Sequence, residues 1–227
     1  MSTKTQIRAV TKAFLSRHPE FILVDRMLIM TPVQHIIRAI VFLPGTDKDL
    51  FEPNWGFNYL FTPRSQANLL WHMPIRRTSG SWNIHEDGIA EELAEQLETQ
   101  ALPVLQPVNS IQDFMDFTTS SDCFFLPGWN ASFWRQPLFE AMLGDLDGAR
   151  RSLCRLWHPK IIPINAPLGL EMPQKLGPLL ARDDREGIAK VLHEWEEKSA
   201  KIYGVEKHWQ PTPFPIEEQV ERGMAQP

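Results

Sequence analysis

The sequence lacks most of the features that mark secreted or membrane proteins. Its only two cysteines, Cys123 and Cys154, have apolar neighbours, which is typical of buried free thiols rather than of a disulfide framework. No apolar run reaches the roughly 20 residues that cross a bilayer. Residues 1–17 interleave basic with apolar side chains, unlike a secretory signal. These absences predict a cytoplasmic protein with no membrane partner.

An excess of charge of either sign is also missing. The formal net charge is −5, so phosphate backbones and anionic lipid surfaces exert no strong overall attraction on the chain. Short basic groups occur at residues 76–77 and 150–155, but they are not interleaved with aromatic side chains that stack on bases. The composition therefore predicts that nucleic acid is not a partner.

Motifs that bind metals, nucleotides or substrates at fixed spacing are absent. The seven histidines include no pair three or four residues apart, which argues against a zinc or haem site. The glycines form no phosphate-binding loop, and no serine lies in a Gly-x-Ser-x-Gly motif. His85-Glu86-Asp87 are consecutive at a predicted helix start, so helix capping is the favoured interpretation. We predict no metal, no cofactor and no catalytic residue.

Hydrophobic and aromatic residues, in contrast, are plentiful. They make up 43% of the chain, with eight tryptophans and thirteen phenylalanines, enough for a large core. Near residues 78–82 the hydrophobic pattern changes from alternating to helical. That order predicts an α+β fold with an N-terminal helix, an antiparallel sheet of four to five strands, and a helical C-terminal region packed on it. The predicted divisions are an α+β domain over 1–120, a helical region over 121–204 sharing its core, and a Pro-rich tail over 205–227.

Before the change of pattern, the chain predicts a leading helix and a series of strands. The helix is expected over residues 3–17, where Ile7, Val10 and Phe14 recur at helical spacing. The predicted strands cover residues 21–30, 33–43, 57–61 and 68–76, with a polar loop over residues 44–54. Pro74 has no amide hydrogen, so the last strand should lie at a sheet edge, with its odd-numbered residues facing the core.

After the change, helices dominate. Asp87 is the expected N-cap of the first of them, and a capping box over residues 110–113 opens a shorter one. Two similar stretches, 137–157 and 178–195, predict helical hairpins that are either a degenerate repeat or consecutive packing helices. The last helix should end at Gly204, after which Pro211, Pro213 and Pro215 are expected to hold the tail extended.

The order of these elements, together with three local features, resembles the bacterial domain-of-unknown-function 4304 family over about residues 3–117. The features are Trp82 near the end of the predicted sheet, the predicted helical sequence over residues 91–105, and the segment over residues 110–114. That family has no established activity, so the resemblance carries over no catalytic residue. It implies a bacterial intracellular protein with one small α+β domain, to which the C-terminal helices are an addition.

Two hypotheses of function remain. The leading one is a non-enzymatic binding or interaction protein, for example an immunity protein that neutralises a toxin, because several tryptophans fall outside clean core patterns and exposed tryptophan concentrates at interfaces. The alternative is that these tryptophans fill the core or anchor loops. They are Trp55, Trp129, Trp134 and Trp209.

The second hypothesis is an enzyme or small-ligand-binding domain with a pocket between the sheet and the later helices. The loop over residues 124–134 is expected to contribute to its wall, together with residues at the end of the predicted sheet. The candidate binding residues, for a partner or a ligand, are Trp71, His72, Arg76, Arg77, Trp129 and Trp134.

Overall fold

The computed structural model describes residues 3–119, 135–156 and 167–224. These residues form the predicted α+β fold. The strands are β1 (Phe21–Val24), β2 (Met27–Met30), β3 (Ile36–Pro44), β4 (Phe51–Tyr59) and β5 (Trp71–Pro74). The helices are α1 (Lys4–Val10), α2 (Lys12–Arg17), α3 (Ile89–Gln100), α4 (Leu102–Leu105), α5 (Ile111–Thr119), α6 (Gln136–Met142), α7 (Leu146–Leu156), α8 (Pro167–Leu180), α9 (Arg185–Tyr203) and α10 (Pro215–Met224).

The helix predicted over residues 3–17 is interrupted at Thr11. A capping box starts α1, in which the Thr3 hydroxyl accepts from the Gln6 amide and the Gln6 side chain accepts from the Thr3 amide. The Thr11 hydroxyl then donates to the carbonyl of Ile7 at 2.8 Å, and this local bond competes with regular helix geometry. The predicted apolar face is correct, because Ile7, Val10 and Phe14 are all buried.

The sheet has five antiparallel strands in the order β1-β2-β3-β4-β5. The single strand predicted over residues 21–30 is wrong, because this segment is itself a hairpin in which Val24 pairs with Met27. The chain reverses at Asp25, whose φ of 53° is one that aspartate tolerates better than most residues. A two-residue turn barely interrupts the hydrophobic pattern, so that pattern predicts one strand where the structure has β1 and β2.

The two central strands, β3 and β4, pair over their full lengths from Ile36–Tyr59 to Pro44–Phe51. The polar loop predicted over residues 44–54 is therefore too long. The strand predicted over 57–61 covers only the last three residues of β4 and continues two residues beyond it. Phe51 and Pro53 are buried while Glu52 between them is exposed, which is the alternation of a strand.

The prediction that Pro74 lies on an edge strand is confirmed, since β5 is last in the strand order and, among the described strands, pairs with β4 alone. The strand is shorter than the predicted 68–76. Leu69 and Ile75 on its odd-numbered side are buried, whereas His72, Pro74 and Arg76 are exposed. An edge proline that donates no amide hydrogen discourages pairing with a further strand.

Contacts divide the chain into two units. The first comprises Met1–Tyr59, Asn68–Phe114 and Tyr203–Gln210. In it, Phe14 of α2 meets Phe21 on one face of the sheet, with ring centroids 5.1 Å apart. On the other face, the amide nitrogen of Asn58 donates to the Tyr203 hydroxyl at 2.7 Å. Both faces of this sheet are therefore covered.

The second unit comprises Leu60–Ala67, Met115–Ile202 and Pro211–Pro227. Phe61 forms edge-on contacts with the rings of Phe139 and Phe214, at 5.5 and 5.6 Å between centroids. Its helices include two successive pairs, α6 with α7 and α8 with α9. Each second helix begins with the same cap, because Asp145 accepts from the Gly148 amide and Asp184 from the Gly187 amide.

Several local predictions need correction. The N-cap of α3 is Gly88, with a φ of +76°, rather than Asp87. The tail predicted to be extended contains α10, because Pro215 stands at the first helical position, where a missing amide hydrogen costs nothing. Cys154 is exposed on α7 rather than buried, whereas Cys123 lies outside the described residues. The helix end predicted at Gly204 is confirmed for α9, with Gly204 at a φ of +69°, but α10 follows it.

Candidate functional site

A small groove lies in the first unit, between the entry to β3 and the beginning of α5. It is open to solvent, and the room inside it is about that of a single water molecule. Apolar residues form part of its wall, and a set of polar residues forms the rest. The apolar residues are Pro32, Ile36, Val108 and Ile111, and the polar residues are Gln34, His35, Arg38, Asn109 and Ser110.

Arg38 is the charged residue of this groove, and the sheet positions it. It stands in β3 within the run Ile36-Ile37-Arg38-Ala39-Ile40 and pairs with Phe57 of β4. The ring of Phe57 meets Phe114 of α5 at 6.0 Å, so Arg38 lies on the sheet face that α5 covers. Only 8% of Arg38 is exposed. Most of this charged residue is thus covered beside the groove.

The hydrogen bonds of Arg38 all go to neutral oxygens. Nη1 donates to Oδ1 of Asn109 at 2.7 Å, and Nη2 donates to the carbonyl of Pro32 at 3.5 Å. Within the part of the chain that the structure describes, no carboxylate oxygen lies within 4 Å of its nitrogens. Burial lowers the pKa of Arg38, an effect that the more distant charge of Asp113 opposes. Arginine nevertheless stays protonated in proteins, so its positive charge has no direct counter-ion among the residues that the structure describes.

The beginning of α5 holds the opposite side of the groove. The predicted capping box is confirmed, since the Ser110 hydroxyl accepts from the Asp113 amide at 3.0 Å and Asp113 accepts from the Ser110 amide at 2.9 Å. Asp113 also accepts from the Asn109 amide at 2.9 Å. The hydrogen bond with Ser110 holds the pKa of Asp113 below its usual range. The amides before α5 therefore already have an anionic partner.

The side chain of Asn109 is fixed in orientation. Its amide nitrogen donates to the carbonyl of Gln106 at 2.9 Å, which leaves its amide oxygen to accept from Arg38. Asn109 thus connects the loop before α5 to β3. The groove has rigid elements on both sides, a central strand and a capped helix.

The residues predicted for a site around β5 do not line this groove. His72 is exposed, with its Nδ1 3.3 Å from Oδ1 of Asn54. Arg76 is also exposed, and the side chain of Gln100 holds its backbone amide and carbonyl at 2.9 and 2.7 Å. Trp71 belongs to β5, but its side chain is not among those the structure describes. Among the described side chains, no hydrogen bond joins His72 to Arg76.

Arg77 has a structural role instead. Its nitrogens donate to Glu86 at 2.7 Å and to Glu92 at 2.8 Å, and its guanidinium lies 5.7 Å from the ring centroid of Trp82. The hydrogen bond with Glu86, followed by that with Glu92, raises the pKa of Arg77. Through Arg77, Glu92 therefore fastens the loop after β5 to α3, and Glu86 fastens the same loop to the segment that precedes α3. The capping role predicted for the 85–87 cluster is wrong, because no side chain of the described residues caps α3.

The predicted tryptophans are only partly described. Trp129 and Trp134 lie outside the described residues. Trp55 is half-buried in β4, where its ring meets that of Phe57 edge-on at 6.1 Å. Trp209 is half-buried and forms a bridge with Val33. Both described tryptophans thus pack within the first unit.

A histidine that the sequence analysis missed connects α9 with α10 in the second unit. Nδ1 of His193 lies 3.1 Å from Glu196, and its Nε2 lies 3.0 Å from Glu217. The hydrogen bond with Glu196 raises the pKa of His193. Because both ring nitrogens face carboxylates, the doubly protonated imidazolium fits this place best. The three-residue spacing between His193 and Glu196 on one predicted helix was the available indication.

Arg38 was missed although the sequence carries an indication. It interrupts a run of isoleucine and alanine that predicts a strand buried on both faces, and arginine is seldom fully buried. Two further features are absent from the described residues. They contain no group of three or more His, Cys, Asp or Glu side chains placed to hold a metal ion, and none of their helices combines the length and apolarity needed to cross a membrane.

Comparison with known proteins gives no match to a protein-family model, to a curated protein or to a solved structure. The resemblance to the domain-of-unknown-function 4304 family therefore stays a prediction.

Proposed function

We propose that this protein is a non-enzymatic binding protein that contacts a partner protein through the groove between β3 and α5. The observation that carries the proposal is Arg38, a buried residue that lines the groove and has no carboxylate within 4 Å of its guanidinium among the described residues.

The energetic argument concerns the cost of that charge. Removing a charged group from water costs several kcal/mol unless a counter-charge and hydrogen bonds replace the lost hydration. For Arg38, the oxygens of Asn109 and Pro32 replace the lost hydration only in part, because both are neutral and the contact with Pro32, at 3.5 Å, is long. An anionic group of a partner would complete the hydrogen bonding. An arginine retained under these conditions is typical of a recognition site.

The surroundings of Arg38 also favour recognition. Binding groups are held most accurately on strands and helices rather than on loops. Arg38 is on a central strand, and Asn109 and Ser110 stand at the capped end of α5. A positive charge at such a site also favours one kind of partner by repelling cationic surfaces.

The cytoplasmic location predicted from the composition belongs to this proposal. The free thiol of Cys154 is exposed on α7. Exposed free thiols persist best in compartments that keep cysteine reduced.

Capture of the partner tests the proposal. Immobilised wild-type protein, Arg38→Met and Arg76→Gln would each be exposed to an extract of the native cells, and the retained proteins identified by mass spectrometry. Both substitutions remove one positive charge, but Arg76 is exposed and lies outside the groove. We expect a protein that wild type and Arg76→Gln retain and that Arg38→Met does not. Circular dichroism would verify that the variants are folded.

Two outcomes would contradict the proposal. If all three forms retain the same proteins equally, binding does not involve Arg38. If none retains a specific protein from cells grown under several conditions, the assignment as a binding protein is wrong.

A further inference from the structure

We propose that one proton on His193 controls the docking of α10 on α9, so that α10 opens locally when that proton is lost. Contacts within the second unit carry the proposal. His193 of α9 lies between two carboxylates, with Nδ1 3.1 Å from Glu196 and Nε2 3.0 Å from Glu217. Glu196 belongs to the same helix as His193, whereas Glu217 belongs to α10. Of these two contacts, the one with Glu217 therefore joins the helices.

Polar and apolar contacts both attach α10. Glu217 also accepts from the backbone amide of Phe214 at 2.7 Å, so the carboxylate that contacts His193 stabilises the start of its own helix as well. Phe214 and Ile216 are fully buried, and the ring of Phe214 lies 4.7 Å from that of His193. Burial of these two side chains does not depend on pH. The part of the attachment that depends on a proton is the contact between His193 and Glu217.

The charged groups that face the imidazole are these two glutamates. Within the part of the chain that the structure describes, no other carboxylate lies within 4 Å of its ring nitrogens. Glu196 is the larger cause of the raised pKa of His193, burial opposes it, and Glu217 adds to it. The doubly protonated ring, which donates to one carboxylate on each helix, is therefore complete below the ordinary histidine pKa of about 6.5. It is lost as the pH rises through the higher pKa of the folded protein.

The neutral ring keeps one of its two hydrogen bonds, and exposure to water determines which. A neutral imidazole donates from one nitrogen and presents a lone pair at the other. The side chain of Glu196 is 0% exposed, whereas that of Glu217 is 33% exposed and has access to water. The remaining proton therefore stays on Nδ1, and the lone pair of Nε2 faces the carboxylate of Glu217. Loss of one proton thus breaks the contact between the helices and leaves the contact within α9.

Hydrogen exchange in the full-length ¹⁵N-labelled protein tests the proposal. Protection of the Glu218 and Gln219 amides in α10 would be measured at about pH 5.5 and about pH 9 and corrected for the exchange rate of an unfolded chain. We expect this protection to fall by at least about threefold at the higher pH, because a charge-assisted hydrogen bond is lost. The amide of Leu176, a fully buried residue of α8 in the same unit, should change by less than about twofold.

Two substitutions remove the contact that depends on the proton. His193→Gln eliminates the titrating ring, and Glu217→Gln supplies an amide nitrogen that donates to the lone pair of a neutral ring. In both variants, protection of α10 should lose most of its dependence on pH. His208→Gln is the control and should behave like wild type, because this histidine is exposed and belongs to the first unit.

The ring nitrogens give a separate test of the step from proton to contact. Their ¹⁵N chemical shifts distinguish the imidazolium from the two neutral forms of the ring. At about pH 9 we expect His193 in the form that carries its proton on Nδ1. The form with the proton on Nε2 would keep the hydrogen bond to Glu217 and would overturn the proposal.

Three results of the exchange experiment would also overturn it. The first is protection of α10 that is equal at both pH values in wild type. The second is a fall of the same size in His193→Gln and in Glu217→Gln, which would place the cause outside this contact. The third is an equal fall at Leu176, which would show that the unit unfolds as a whole and that α10 does not open by itself.

Discussion

At the scale of single residues, the arginines of the first unit differ in their hydrogen-bond acceptors. Some are bound by carboxylates and stabilise the fold, whereas others are bound by neutral oxygens. Arg77 belongs to the first kind, since two glutamates and the ring of Trp82 surround its guanidinium. Arg38 belongs to the second, because its acceptors are neutral. Two arginines of one unit therefore differ in role, and the presence or absence of a carboxylate partner distinguishes Arg77 from Arg38.

The cap of α5 gives a prediction at this scale. Ser110→Ala removes the hydroxyl that accepts from the Asp113 amide, so we expect the free energy of unfolding to fall by about 1 kcal/mol. Urea denaturation measures this loss. Ser79→Ala, at an exposed position in the turn before Gly80, is the control and should leave stability unchanged within about 0.5 kcal/mol. Equal stability of both variants would show that the cap contributes nothing.

The sequence could identify the cap but not the role of Arg38. A capping box is a local pattern over four residues, and its hydrogen bonds form wherever the helix forms. The surroundings of Arg38 depend instead on α5, which is about 70 residues away along the chain but lies over the same sheet face. Alternation along a strand does not say whether an arginine points to solvent or under a helix.

At the scale of secondary-structure elements, the sequence predicted whether a segment is helix or strand more accurately than it predicted the first and last residues of that segment. Helical spacing identified α3 and its buried face, because Ile89, Leu93 and Leu97 lie on one side. The pair β1 and β2 was merged, since a two-residue turn leaves the apolar pattern unbroken. For α10, the prolines were interpreted as breakers although Pro215 begins a helix. The errors concern chain reversals and helix starts, where a single residue determines whether a turn or a helix forms.

The contact between α9 and α10 gives a prediction that depends on pH. Glu196 and Glu217 face the two ring nitrogens of His193 and raise its pKa, with Glu196 the larger cause. The stabilisation is therefore fully present below the unfolded-state pKa of about 6.5 and is lost as the pH rises through the higher folded-state pKa. Replacing His193 by Gln should accordingly cost more stability at about pH 5.5 than at about pH 9.

Urea denaturation at the two pH values measures that difference. His208→Gln is the matched control, because this histidine is exposed and should lose little stability at either pH. A loss in His193→Gln that is the same at both pH values would mean that the imidazole contributes packing against Phe214, 4.7 Å away, rather than charge.

At the scale of the whole molecule, composition and the order of hydrophobic patterns were sufficient for the fold class. Strands before helices predicted an α+β protein with an antiparallel sheet, and the five strands follow one another in chain order. Each of the two units combines segments far apart in sequence, such as Tyr203–Gln210 with the sheet, and this combination was not predicted. Such long-range pairing leaves no periodic trace in the chain.

The proposed function depends on one property of the whole fold, namely that Arg38 does not contribute to its free energy of unfolding. In Arg38→Met a side chain of similar length loses a charge that has no carboxylate partner, and the exposed Asn109 is open to hydrogen bonding with water instead. Arg77→Met is the contrasting variant, because it leaves Glu86 and Glu92 without their shared partner and should be destabilising.

The free energy of unfolding of Arg38→Met, measured by urea denaturation next to wild type and Arg77→Met, tests the account most directly. We predict that Arg38→Met is as stable as wild type or more stable, while Arg77→Met is less stable. A loss of about 3 kcal/mol or more in Arg38→Met would contradict the account, since it would show that Arg38 holds the fold together and is not kept for binding.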